Sequence, residues 1–533
     1  MIPPGIKPYH PDSPWKNVHE NFSHEFTPDC SWILDHADPN LTLADLYKRA
    51  TKNLQWVIGH AIKNSTTLRA IGANWSFSSV GICNGGIVQT KGLDLIFNVN
   101  NTLVSPSYAK TNDDLLFVEC GTQVARLNKY LEIERRPARC IRASGASNGQ
   151  TIAGCTSTGT HGAALYTGAV HDAIVGIHLI TGPDTHVWLE RESYPVASDK
   201  FINWLGATPH RDDDLFNSVL VGFGSFGIIH GLMIETEPLF LLKEYRISEA
   251  VYSDKLMDAL STLDIPKLKQ LLPGMPDSVP GHELYHMEMN LNPYTLKKNS
   301  NKGLYIFFFY KLPAPPNYIT DHGGTHAPGP SPEFIWMMKG LMGLIGPGAS
   351  YSLIKKLTTQ EFEKNIRPAT PEPKSIGSIF RDTRFTGNIA SFAFAVSTPD
   401  LPQTLKEILE EISENAFAGA VAVRFVKGTQ ATLGFTKFDN TSVIEMDGLD
   451  SKANHTVFKN VIFRLEDRGI PFSIHWGKLN SPMNKGRTLA IYGKEKLTTW
   501  KQSRAQLLSK DTRAVFTNAF MQKCGLDTVM KPF

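Results

Sequence analysis

His475 and Lys478 flank a glycine in His475-Trp476-Gly477-Lys478, which begins at the last residue of 472–475, a segment that reads as a strand. A glycine bend at a strand end can turn a titratable ring and a fixed cation into one cleft. An imidazole of ordinary pKa, about 6.5, exchanges protons near neutral pH. Arg424 is a second anomaly, a guanidinium inside the otherwise apolar strand Val421-Ala-Val-Arg-Phe-Val426. A buried arginine needs an anionic or hydrogen-bonding partner. It is therefore either half of a structural ion pair or a substrate contact, just as His475 and Lys478 fit either a cleft or a core histidine beside a surface lysine.

The first half of the chain carries three loops of small residues. The longest, Ala143 to Ala164, has five Gly, seven Ser or Thr, one His and no charged side chain. Glycine admits positive φ and lets a ligand approach the peptide plane, and short hydroxyls reach a ligand without filling its space. Main-chain N–H groups in such a loop suit an anion, phosphate above all. Gly72-Ala-Asn-Trp-Ser-Phe-Ser-Ser79 follows a short strand at 67–72 and is a second phosphate loop, and Gly222-Phe-Gly-Ser-Phe-Gly227 is the third. The third completes Gly-x-Gly-x-x-Gly after a predicted strand at 219–221. Residues 228–236, however, read as a strand where a dinucleotide fold needs a helix, so neither Glu244 nor Glu249 closes a β-α-β unit and nicotinamide binding is rejected. No loop has the lysine of a nucleoside-triphosphate loop, and no Gly-x-Ser-x-Gly elbow marks a hydrolase. What remains is a large diphosphate-bearing cofactor held by neutral amides and hydroxyls, FAD first among the candidates.

The elements that must position these residues are of α+β type. At 533 residues the chain exceeds the ~250–300 at which one hydrophobic core stops growing, which implies two domains. We divide it into an irregular arm over 1–40, a cofactor domain over 41–244, a substrate (cap) domain over 245–485, and a C-terminal segment over 486–533 that returns to the first domain. Thr42 caps a predicted helix running to Lys63, with Leu43, Leu46, Ala50, Leu54, Ile58 and Ile62 on one face. Strands follow at 86–90, 95–99 and 115–119, then a hairpin over 173–190. Beyond a Pro/Gly/His-rich loop at 312–332 comes a regular order: strand 389–397, helix 403–415, strands 419–426 and 442–446, helix 454–468 and strand 472–475. That order makes a sheet with helices on one face.

Hydrophobic residues make up 41% and charged residues 20% of the chain, and the net charge is only +3 with no basic run, which argues against nucleic acid as a partner. Cysteines at 30, 83, 120, 140, 155 and 524 form no Cys-x-x-Cys pair. They suggest neither a metal site nor a disulfide framework, and with no secretory signal at the start they point to the cytoplasm. No run reaches the ~18–20 apolar residues of a membrane span. The nearest, Phe334 to Ile345, is interrupted by Lys339 and reads as a buried helix, an apolar lip over a substrate mouth, or a surface touching lipid.

Gln150-Thr-Ile-Ala-Gly-Cys-Thr-Ser-Thr-Gly-Thr-His-Gly162 resembles the flavin-cradling segment of the FAD-linked oxidases of the vanillyl-alcohol oxidase (p-cresol methylhydroxylase) superfamily. With the Gly72 loop, Gly224 to Gly227 and His-Trp-Gly-Lys, it lies in the order and rough spacing of the aldonolactone and alditol oxidases, a resemblance running from about residue 30 to the end. His-Trp-Gly-Lys is the tag of that sugar-oxidising branch. Ala514-Val-Phe-Thr-Asn-Ala-Phe-Met521 and His161-Gly-Ala-Ala-Leu165 are similar to the flavoprotein cholesterol oxidases. The resemblance implies a p-cresol methylhydroxylase-type FAD domain and a cap with an antiparallel sheet, with the flavin between them. Gly72, Ala73, Asn74, Trp75, Ser76 and Phe77 are then expected at the pyrophosphate. Gly145, Gly149, Thr151, Gly154, Thr156, Ser157, Gly159, Thr160, His161 and Gly162 belong to the segment along pyrophosphate and ring, and Gly224, Gly227 and Ile229 to the adenine side. His475 is the expected proton acceptor, with Arg424 and Lys478 facing the substrate.

The implied reaction is oxidation of a CH–OH group in a small alcohol, sugar alcohol or aldonolactone, or alternatively in a sterol or other apolar alcohol. Oxygen, giving hydrogen peroxide, or another acceptor would take the electrons. A non-catalytic flavin-binding protein is the alternative of another class. Two positions depart from the pattern. Trp75 stands where many relatives carry the histidine that bonds covalently to the flavin, which implies dissociable FAD. Ala422 stands where Glu-x-Arg has its acid, which puts a polyol substrate in doubt.

Overall fold

A computed structural model describes the chain except residues 37, 39, 277–280, 323–340, 342–343, 346–348, 367–368, 370–371, 382–388 and 529–533. Helix Leu43–Lys63 begins where the Thr42 hydroxyl accepts the Asp45 N–H, and its face of Leu46, Ala50, Leu54, Val57, Ile58 and Ala61 is buried. It packs on a six-stranded sheet in the order Thr208–Arg211, His186–Glu190, Ile174–Ile180, Ile228–Glu235, Leu115–Glu119, Ile96–Asn98. Beside it lies a four-stranded sheet in the order Ile6–Pro8, Trp32–Asp35, Gly86–Gly92, Leu68–Ile71. The arm is thus less irregular than expected. Its apolar Ile6, Trp32 and Leu34 are buried in the main core, and its backbone completes a sheet.

The second half is built on a seven-stranded antiparallel sheet. Its order is Phe240–Ile247, Leu304–Pro313, Glu283–Leu291, Gly419–Lys427, Asn440–Leu449, Ile389–Ser397, Phe472–Ile474. Because strand side chains alternate between faces, Phe392, Phe394, Val421, Val423, Ile444 and Met446 point one way. Helices Leu401–Glu414 and Lys452–Asp467 cover that face, with Phe392 stacked on Phe458 at 4.2 Å. The intervening residues face the first half. Strand Phe240–Ile247 runs across the boundary drawn at residue 244 and pairs with Leu304–Pro313.

Two local expectations change. Helix Asp213–Leu220, not a strand, precedes the Gly222 loop, because Asp212 caps it and Leu215, Phe216, Val219 and Leu220 bury at helical spacing. The long glycine-rich stretch contains the short helix Ile152–Thr158, started by the Thr151 hydroxyl and ended by Gly159 at φ 78°. The C-terminal segment lies on the first half, where Asn518 Nδ2 donates to the carbonyls of Val80 and Ile82. Most of Phe334 to Ile345 lies outside the described residues; of the rest, Leu341 is buried and Leu344 exposed. Among the described residues no helix is long and apolar enough to cross a membrane.

Candidate active site

One cleft joins the two halves, walled by the small-residue loops on one side and floored by the seven-stranded sheet on the other. Gly72 ends strand Leu68–Ile71 against the cap of helix Ile152–Thr158, where a Cβ would stand 2.0 Å from Thr151 Oγ1. No side chain fits there. Ala73, Asn74, Trp75, Ser76 and Phe77 continue the wall, joined by Gly145, Thr151, Gly154, Ser157, Thr160 and His161, and by Gly224, Gly227 and Ile229. Four expected cradle residues stand behind it. Gly149 accepts from Gln123, Thr156 donates to Ile152 O within its helix, Gly159 lies against Phe435, and the space beside Gly162 is filled by Ser144 O. The loop is tied to the second half by Phe77 N–H to Gly477 O, 2.8 Å, and Ser78 Oγ to Trp476 O, 2.6 Å.

The floor is ionic. Arg424 donates through Nε to Glu288 Oε2 at 3.1 Å and pairs through Nη1 with Glu445 Oε2 at 2.8 Å. Glu445 also stands 3.7 Å from both His161 Nε2 and Lys478 Nζ. Lys478 donates to Ser391 Oγ, and Ser391 donates to Asp447. His286 and Asn290 complete the shell of Glu288. Arg424 is therefore an ion-pair partner that also lines the cleft.

The acid absent at position 422 is supplied across the sheet. Ala422 is paired directly with Glu445, and Arg424 with Glu288. Glu288, Asn290, Ser391, Glu445 and Asp447 escaped the sequence reading. Their signal was the same as that of Arg424: polar residues at every second position of otherwise apolar strands, as in Val443-Ile-Glu-Met-Asp447.

Electrostatics divides these groups. Burial alone would raise the Glu288 and Glu445 carboxyls, but Arg424, with help from His286 for the first and Lys478 for the second, holds both below the usual range. Burial, reinforced by Glu445, raises Asp447 to about 6 against the opposing pull of Lys478. His475 is pushed well below an ordinary histidine by burial, then by His161 and Lys478, and its Nδ1 accepts the Gly477 N–H at 2.9 Å. It is a neutral acceptor, so its expected role as a base of pKa near 6.5 does not follow from its surroundings.

Burial likewise lowers His161 to about 4. The unfolded chain takes up protons at these imidazoles near pH 6.5 while the folded one resists, so stability is full above that pH and falls as the pH drops below it. For His161 alone this amounts to about 2 kcal/mol lost by pH 5. Urea unfolding of the FAD-free protein at pH 7.5 and 5 checks this; equal stability at both would contradict it.

The wall suits an anionic dinucleotide. It carries hydroxyls and backbone but no carboxylate, and behind the Gly222 loop stand two buried guanidiniums. Arg69 donates to Gly224 O at 2.8 Å and Phe516 O at 2.7 Å, and Arg504 to Ser225 O at 2.8 Å. Their partners are carbonyls, a hydroxyl and a thioether, with no carboxylate among them, and burial lowers Arg69 to about 10 and Arg504 to about 9. Buried positive charge whose hydrogen-bond partners among the described residues are neutral favours a negative ligand nearby.

Over its whole length the chain superposes on solved oxidases. A solvent-stable cholesterol oxidase matches with TM-score 0.65 at 12% identity, covering 98% of this chain and 99% of that one. The cholesterol oxidase of B. sterolicum gives TM-score 0.61 at 12% identity, covering 96% of each chain. The xylooligosaccharide oxidase of Myceliophthora thermophila gives 0.55 at 12% identity, with 94% and 93% covered. The fold is that of these oxidases. In sequence the chain is similar to aldonolactone oxidases and dehydrogenases over part of its length. It is 26% identical to D-arabinono-1,4-lactone oxidase of Candida albicans over 205 residues, 37% of this chain and 32% of that protein. It is 25% identical to L-gulono-1,4-lactone dehydrogenase of Mycobacterium tuberculosis over 190 residues, 36% of each. These matches span about a third of the relatives' length. No family model matches the chain.

Proposed function

We propose that the protein is an FAD-dependent oxidoreductase that oxidises the CH–OH group of a sugar-like alcohol, sugar alcohol or aldonolactone. The observation that carries this reading is the floor, where Arg424 lies between Glu288 and Glu445 and the Lys478–Ser391–Asp447 chain adjoins them. Dense charged donors and acceptors suit a substrate with several hydroxyls. FAD bound against the wall supplies a hydride acceptor, its N5. Asp447 takes the hydroxyl proton, since it is the carboxyl of the floor whose affinity for a proton lies nearest neutrality. Lys478 and Arg424 offset negative charge developing on the substrate oxygen. His475 stays neutral and fixes the bend that carries Lys478.

Trp75 lines the wall at the linking position, and indole forms no such bond, so the FAD is dissociable. The final electron acceptor would be oxygen, giving hydrogen peroxide, or another oxidant. The six free, buried cysteines support a reducing compartment and thus the cytoplasm. An apolar alcohol such as a sterol is the second reading. It is favoured by the cluster of Ile354, Phe362, Ala418 and Leu449, which packs with the cleft residues Phe77, Ile389 and Ala420.

Acid precipitation of the yellow protein is expected to release its colour to the supernatant. Anaerobic addition of aldonolactones and alditols is expected to bleach the bound flavin. Bleaching by cholesterol alone favours the second reading, and flavin bleached by none of these makes the protein a flavin binder. A preparation that stays colourless with FAD in excess would overturn the proposal.

A further inference from the structure

We propose that residues 17–21 of the N-terminal arm are a cofactor clasp, in which Asn17, His19 and Asn21 are positioning residues that hold the Gly72 loop in its FAD-binding shape. The inference rests on the FAD reading above. Three contacts from the arm fix the loop, and His19 itself lines the cleft beside it. Val18 N–H donates to Asn74 O at 3.1 Å, Asn17 Nδ2 to Ser76 O at 3.0 Å, and Asn21 Nδ2 to Phe77 O at 2.9 Å. Asn74 returns a bond from its own amide to Lys16 O at 3.2 Å and sits at φ 61°, a left-handed conformation that asparagine tolerates better than most residues. The two clasp asparagines brace each other, with Asn21 N–H on Asn17 Oδ1 at 3.1 Å. The pairing of Trp15–Lys16 with Ser23–His24 closes the turn, and Trp15 is buried against Ile82 and Ile87.

In a trans peptide the carbonyl and the following N–H point opposite ways. Turning the Asn74 and Phe77 carbonyls to the arm therefore turns the N–H groups of Trp75 and Ser78 away from it, leaving on the loop donors of the kind a phosphate needs, while the Phe77 N–H, behind Ser76 O, is taken by Gly477 O. His19 adds a ring contact. It is buried, stacks on Phe77 at 4.1 Å with the planes 5° apart, and meets Trp75 edge-on at 5.6 Å. Phe77 in turn lies under Lys478 Nζ, 5.5 Å from the ring centroid. One ring thus links the arm to the cation of the substrate floor. Where a histidyl bond would tether the flavin, a tryptophan stands, so retention of the cofactor depends on loop shape, and the arm sets that shape.

The test titrates FAD-free protein with FAD, following quenching of flavin fluorescence, for wild type, Asn17→Ala/Asn21→Ala, His19→Ala and His19→Phe. Thermal unfolding of the same FAD-free proteins runs alongside. The double variant is expected to bind FAD about 10- to 100-fold more weakly while its FAD-free melting temperature stays near that of wild type. His19→Ala is expected to weaken FAD several-fold, and His19→Phe, which keeps the stack, to restore it. If the double variant does not fold, the His19 pair decides. Affinities within twofold of wild type, equal weakening by His19→Ala and His19→Phe, or a melting temperature that falls in step with affinity overturns the clasp. Wild type that binds no FAD overturns the FAD reading itself, and the first titration shows it.

Discussion

Asp447→Asn is expected to slow substrate-dependent bleaching of the flavin by about 10²- to 10⁴-fold, with FAD affinity and spectrum unchanged. The amide keeps the size of the side chain and can still accept from Ser391, so the Lys478–Ser391 contact survives while the proton acceptor is lost. The pH profile carries a sharper signature. Burial and Glu445 hold Asp447 near 6, so the working, ionised form predominates above that pH. The wild-type rate should climb as pH rises through about 6 and then level off, and the Asn variant should lack that limb. A variant that keeps the limb, or loses less than tenfold in rate, assigns the proton to another group, with Glu288 and Glu445 as the remaining carboxylates of the floor.

Replacing Arg424 with Met should destabilise the FAD-free protein by about 3–5 kcal/mol at pH 7.5, the range for removing one partner of a buried pair. Glu288 and Glu445 would then face each other without the guanidinium that depresses both. Their carboxyl pKa values would rise above those of the unfolded chain. The sign follows: stability of the variant falls as pH rises through the carboxylate range, and its deficit against wild type shrinks as pH falls. Urea unfolding at pH 7.5 and 5.5 measures both effects, and Glu445→Gln added to Arg424→Met should recover part of the loss. A deficit below about 1 kcal/mol, or one independent of pH, would mean that water in the cleft screens the pair.

The cradle was legible because glycine and hydroxyl residues are a chain-local signal. Fifteen of the cradle residues expected from the loops line the cleft, and Gly149, Thr156, Gly159 and Gly162 support it from behind. Arg424 was legible as an oddity in an apolar strand. Its partners were not, since the sequence places Glu288 and Glu445 far from it and only strand register makes Ala422 the neighbour of Glu445. The loss of an acid from one strand therefore implied a less polar floor than the one that forms. His475 was found by its motif, but its proton affinity depends on depth and on neighbouring His161 and Lys478, which spacing does not encode. The partner of strand Phe240–Ile247 was hidden for a similar reason, since its pairing with Leu304–Pro313 joins residues far apart in sequence.

The floor residues occupy every second position of four adjoining strands, Glu283–Leu291, Gly419–Lys427, Asn440–Leu449 and Ile389–Ser397. A one-residue slip of Asn440–Leu449 would exchange Glu445 and Asp447 for Ile444 and Met446 and drive both carboxylates under the helices. The site thus behaves as a vernier scale, in which chemistry depends on the alignment of two rulers rather than on marks along either. Substitutions erase one mark at a time, whereas a single insertion or deletion within Asn440–Leu449 shifts the whole reading, so natural variation in this sheet should be confined to exchanges that preserve strand length.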